Sequence, residues 1–150
     1  MHDDLLQPTL AHSRPLPRLV SSRAQFFAAF FGGGFAALGL AVVNSSKLQR
    51  LTRDVPIVVL LAAVYVGFLY WLVSPAGAHL LAQFQLSRSG VPVRMAAVAL
   101  FGTVYALHRL PLRAGALTGL DSASGWIAAA AAGAGIVLDA GLVILFAASH

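Results

Sequence analysis

Four apolar stretches limit this chain more than any other feature. They cover residues 24–43, 56–73, 91–108 and 126–148, and Arg94 and Asp139 are the only Lys, Arg, Asp or Glu residues inside them. About 20 apolar residues coiled as a helix cross the ~30 Å hydrocarbon core of a bilayer. Backbone N–H and C=O groups in lipid must be satisfied within the segment, and the runs lack the alternation of barrel strands. Composition agrees: 59% of the 150 residues are hydrophobic types, 10% are charged, and mean hydropathy is +0.82. A soluble domain of that size needs far more polar surface. The expected fold class is all-α: a polytopic membrane protein with four transmembrane helices over residues 23–150, behind a flexible N-terminal extension at 1–22.

The connections fit this reading. Residues 44–54 (NSSKLQRLTRD) form a polar link, after which Asp54 is placed to cap the second helix and Pro56 to sit in its first turn. Trp71 is an interface anchor, and Ser74-Pro75-Ala76-Gly77 breaks the run. Residues 78–88 suit the headgroup region. Residues 109–125 read as a loop, with Ser124 as N-cap of the last helix. Two alternatives accompany the count of four. Gly39-Leu40-Ala41 resembles a signal-peptidase site, which the long leader and the glycine run oppose. The third run, the shortest and the one with Arg94, has a peripheral or re-entrant placement as its alternative.

Net charge is +5, with no Glu. The basic residues flank apolar runs, which suits anionic lipid headgroups and not nucleic acid. With four straight crossings, Arg14, Arg18, Arg23 and Arg88 share one side, with Arg94 at its boundary. Lys47, Arg50, Arg53, Arg109 and Arg113 share the other. That division is too even to orient the molecule. There is no cysteine, hence no disulfide or thiolate chemistry. His2, His12, His79, His108 and His150 show no metal-ligand spacing, and neither a nucleophile elbow nor a phosphate loop is present. No cofactor, metal or enzymatic activity is expected.

Two features of the apolar runs carry information. Helices in lipid associate through close backbone approach at small residues. Ala29, Gly33, Ala37 and Ala41 form one such stripe; Ala128, Ala132, Gly135 and Asp139 lie along one flank of the last helix. Ala29, Gly33, Ala37 and Gly135 are therefore the expected helix-packing positions. Asp139 itself is the sharpest polar candidate. A charge in mid-span costs at least about 2.5–3.5 kcal/mol, so it must face protein or water or be neutralised. Its candidate internal partners are Tyr65, Thr103, Tyr105 and Arg94. Arg94 is expected to snorkel to the interface, with headgroup phosphate or Asp139 as its other partners.

The stretch "AFFGGGFAALGLAVVNSSKLQRL" resembles the first segment of a group of small uncharacterised bacterial four-helix membrane proteins, through Phe30, Phe31, Gly32, Gly33, Ala36 and Asn44. The Ser124, Gly125, Trp126 triplet is similar to the one that opens that group's last helix. Gly34 stands where that group commonly has Pro, and the loop before Ser124 is shorter. The resemblance implies a four-helix topology and no activity; the expected location is a bacterial inner (cytoplasmic) membrane. The expected role is that of a non-enzymatic accessory or scaffold subunit, partnered by the bilayer and by other membrane subunits or a second copy. The alternative is a small transporter or proton/ion-conducting protein using Asp139.

Overall fold

The computed structural model describes residues 18–84, 90–117 and 125–149. Among these the chain is all-α, in the order α1 (Ser22–Lys47), α2 (Leu51–Val73), α3 (Pro75–Gln83), α4 (Val91–Leu117) and α5 (Gly125–Ala147). Four of the helices, all but α3, are long and apolar enough to cross a membrane. The chain is thus a multi-pass membrane protein by length and composition.

One of the four carries a break. Gly33 has φ 78°, ψ −168°, outside the helical region. A straight helix of 26 residues would be about 39 Å long. Instead the ends of α1 touch. The Val20 amide donates to Asn44 Oδ1 at 3.0 Å, and Lys47 Nζ donates to the Arg18 carbonyl at 2.9 Å. Between ends and break the two limbs pack on each other: Val20, Ala28, Ala36 and Leu40 belong to one buried cluster, with Ala24 and Val43 against it. Helix α1 is therefore a hairpin with its tip at residues 32–34. Its limbs, residues 22–32 and 34–47, extend about 16–20 Å, a little over half of a bilayer's apolar core. The limbs approach so closely because Ala meets Ala across them.

The other helices surround this hairpin. Ser45 near the end of α1 bonds Asp54 of α2 and His108 of α4, and Ala128 of α5 packs against the limbs. That end of the bundle is called here the proximal face. At the other, distal end, Leu72, Leu81 and Val93 pack together, and Phe146 meets Tyr70 edge-on. So α2 runs from proximal to distal, α3 lies at the distal end, α4 returns, and α5 runs back to the distal end. The hairpin enters from the proximal face and stops inside.

The element boundaries differ from the sequence reading in three places. Only residues 48–50 separate α1 from α2. Asp54 therefore sits inside the first turns of α2 and does not cap it; Arg50 holds the N-cap position without a side-chain bond. Helix α4 continues past Pro111 to Leu117, where a loop was expected. Its Leu, Arg and Ala residues are good helix formers and outweigh the one N–H that Pro111 lacks. Residues 1–17, 85–89, 118–124 and 150, including Ser124 and the resemblance at its position, lie outside the described residues. Residues 18–21 belong to the packed structure, since Val20 is fully buried.

Candidate functional site

A helix interrupted in apolar surroundings exposes backbone donors that must find partners. At the hairpin tip they find Asp139. The Gly34 amide lies 3.2 Å from Asp139 Oδ2 and 3.2 Å from the Tyr65 hydroxyl, and that hydroxyl donates to Asp139 Oδ2 at 2.9 Å. Three helices thus converge on one carboxylate oxygen: the tip of α1, Tyr65 from α2 and Asp139 from α5. The Phe35 ring packs edge-on against Tyr65 at 5.6 Å, which fixes the phenol. Of the four internal partners considered for Asp139, the structure places Tyr65 beside it.

The glycines are what let this geometry form. A Cβ on Gly33 would overlap the Asp139 carboxylate, and one on Gly34 would overlap the Tyr65 ring. Gly32 and Gly135 face each other across α1 and α5, with Ala132 and Ala36 completing the contact. The small residues divide accordingly. Gly32 and Ala36 meet the 132–135 region of α5. Ala29 and Ala37 pack with Tyr65 and Leu69. Gly33 is the turn itself.

Asp139 is only 8% exposed, and its second oxygen, Oδ1, has no hydrogen-bond partner. Buried polar atoms are rarely left so. Asp139 also lines a cavity of about 320 Å³, together with tip residues Phe30 to Gly33, Val93 and Arg94 of α4, and α5 residues up to Ile144. These elements place the cavity beyond the tip, on its distal side. Arg94 is exposed, and its guanidinium carbon lies 5.4 Å from the Phe30 ring centroid. Proximal to the tip the packing is dry: Leu38, Ala41, Val58 and Val104 form a buried apolar cluster. The arrangement is a partly open pocket on the distal side of the tip and apolar packing on the proximal side.

A second polar cluster lies near the proximal face. Ser45 Oγ donates to Asp54 Oδ2 at 2.8 Å, and His108 Nε2 lies 3.1 Å from Ser45 Oγ and 3.2 Å from Asp54 Oδ2. All three residues are at most 3% exposed. The residue types are those of a hydrolytic triad, but the geometry is not. In such a triad the two ring nitrogens divide the work, one taking the Ser proton and the other held by the carboxylate. Here Ser45 and Asp54 share Nε2, and Nδ1 is unpartnered. The cluster is a clasp joining α1, α2 and α4. Sequence reasoning did not find it, because its members stand 9 and 54 positions apart and no local spacing links them. Replacing Ser45 with Ala leaves Asp54 and His108 short of a buried partner. We expect a loss of roughly 1–3 kcal/mol in stability, read as a lower denaturation midpoint in detergent. An unchanged midpoint would show the clasp to be dispensable.

Comparison with protein-family models, with curated proteins and with solved structures finds no match for this chain. The site therefore has to be read from its own geometry. Among the described residues no group of three or more His, Cys, Asp or Glu is placed to hold a metal ion.

Proposed function

We propose that this protein is a small membrane carrier in which Asp139, at the tip of the α1 hairpin, is the group that binds a proton or cation. One observation carries the reading: a carboxylate buried inside the apolar bundle, bonded to the hairpin tip and to Tyr65, borders a pocket on the distal side. Broken helices at membrane depth suit binding sites of this kind, and intramembrane acids mark ion or proton paths. The dry layer around Leu38 and Val104 favours a carrier over an open pore, because a polar species at Asp139 has no wet route to the proximal face. Release on that side would require the second limb of α1 to part from α2 and α4. The membrane we assign is the bacterial inner membrane.

Flux measurements in liposomes test this. Purified protein should dissipate a proton or alkali-cation gradient faster than empty vesicles, and Asp139→Asn should return the rate to the empty-vesicle value. An Asp139→Asn protein as active as the parent would reject the role of Asp139.

A second reading, a non-enzymatic accessory or scaffold subunit, has its own support. Gly133 and Gly141 of α5 have nothing within 4 Å of where a Cβ would stand, and Ala129, Ala130 and Ala134 are exposed beside them. Small residues on an outward helix face suit close approach of another membrane helix better than lipid contact. Native mass in mild detergent separates the readings: a monomer without partners counts against the subunit role.

A further inference from the structure

We infer that the outward face of the first limb of α1 is a binding site for one anionic phospholipid of the proximal leaflet. Its headgroup phosphate sits at Arg23, and its two acyl chains lie on either side of Phe27. Between the first limb and α4 runs a groove of about 570 Å³, lined by Ser22, Arg23, Phe26, Phe27, Phe101 and Tyr105. The polar members stand at its proximal end. Ser22 and Arg23 open the limb, and Tyr105 lies less than one turn before His108 of the proximal clasp. Further in, the wall is aromatic: Phe26 meets Phe101 edge-on at 5.6 Å, and Phe101 stacks on Tyr105 at 6.0 Å. A second groove of about 300 Å³ follows the other side of the limb against α5, past Ala24, Ala28 and Ala128. Phe27 borders both grooves.

Depth, side-chain size and charge select this occupant. The first limb reaches about 16 Å, close to the ~15 Å of hydrocarbon in one leaflet, so chains anchored at Arg23 run beside it to the tip. A docking helix prefers small residues, whereas Phe27 and Phe31 stand 57% and 62% exposed on this face. Both described carboxylates, Asp54 and Asp139, are buried. The one ion-pair contact among the described residues is His108–Asp54, so no described acid neutralises Arg23. Arg109 is exposed one turn beyond Tyr105 on the same face of α4 and adds positive charge at that end. A planar guanidinium suits a phosphate. The ammonium of a zwitterionic headgroup meets repulsion from these cations. The groove contains neither Asp139 nor the glycine turn, so its lipid is independent of the carrier reading.

Native mass spectrometry of the full chain in mild detergent tests this, with dioleoyl phosphatidylglycerol and dioleoyl phosphatidylcholine as probes. The first phosphatidylglycerol should bind about fivefold more tightly than the first phosphatidylcholine, the worth of one cation at a lipid headgroup. Arg23→Gln should abolish that preference and Arg23→Lys should retain it. Arg53→Gln removes the same charge from another exposed proximal position and should leave the preference unchanged. Lysophosphatidylglycerol, with one chain, should bind more weakly than the two-chain lipid. A Ser22→Cys protein, in a chain with no other cysteine, reports the place. Phosphatidylglycerol should slow its reaction with maleimide, and phosphatidylcholine at the same concentration should not. That measurement keeps Arg23, so it decides the matter even where Arg23→Gln fails to fold. Equal affinity for the two lipids, an unaltered preference in Arg23→Gln, an equal loss in Arg53→Gln, lysophosphatidylglycerol as tight as the two-chain lipid, or an unprotected Ser22→Cys overturns the inference. A dimer that excludes phosphatidylglycerol assigns the groove to a second copy and overturns it as well.

Discussion

Single cysteines placed at Arg23 and at Lys47 should react with a membrane-impermeant maleimide from the same side of the membrane. The chain contains no native cysteine, so each label reports one site. The two positions bracket an apolar run long enough to span, and a straight helix would put them in opposite compartments. The hairpin puts them together, as the bonds from Val20 to Asn44 and from Lys47 to Arg18 require. A third cysteine, at exposed Ala76 in α3, should react only from the other side. The fold-back also redistributes charge. Arg18, Arg23, Lys47, Arg50, Arg53 and Arg109 gather at the proximal face, and Arg94 is the described cation near the distal one. Among the described residues six cations then stand at the proximal face against one near the distal one. The positive-inside rule then predicts that the proximal face is the cytoplasmic one. In inverted vesicles the Arg23 and Lys47 positions should label and Ala76 should not. Labelling of Arg23 and Lys47 from opposite sides would remove the hairpin and with it the whole account of the tip.

Why the hairpin was not legible in residues 22–47, while the membrane class was, is a matter of which contacts decide each. Apolar length is local, and four runs declare it. Three consecutive glycines permit both close helix packing and a left-handed turn, and the sequence alone does not choose between them. The choice is made by contacts 24 and more positions apart, Val20 with Asn44 and Gly34 with Asp139. Asp139 stood out because a lone carboxylate in 23 apolar residues demands an explanation. Its partner could be narrowed to a few hydroxyls and one guanidinium, and the fold supplies Tyr65. Ser45, Asp54 and His108 lie at or near run ends, where polar residues need no special reason. Nothing in their spacing signals that burial joins them. Pro111 misleads in the other direction: a residue that usually ends helices lies within α4, and the sequence suggests a loop where the helix continues.

Gly33→Ala should be the most damaging single-methyl change in the hairpin, and Gly39→Ala a harmless one. Both add the same atoms to α1. At Gly39 the new methyl meets nothing within 4 Å, and replacing a helical glycine with alanine gains up to about 1 kcal/mol. At Gly33 two penalties combine. The backbone φ of 78° is one that side-chain-bearing residues rarely adopt, at roughly 1–3 kcal/mol. The Cβ also overlaps the Asp139 carboxylate, so Asp139 must withdraw from the Gly34 amide and the Tyr65 hydroxyl. Hydrogen bonds to a charged group contribute about 1.5–3 kcal/mol each. A total loss of at least about 3 kcal/mol is expected, against no loss for Gly39→Ala. Reversible unfolding of both variants in mixed micelles measures the difference. Comparable stability of the two would mean that the turn at Gly33 and its seat on Asp139 do not hold the hairpin in place. A further arm separates turn from seat. In Gly33→Ala combined with Asp139→Ala the overlap disappears and the backbone penalty stays, so the double variant should lose less than the sum of the single changes.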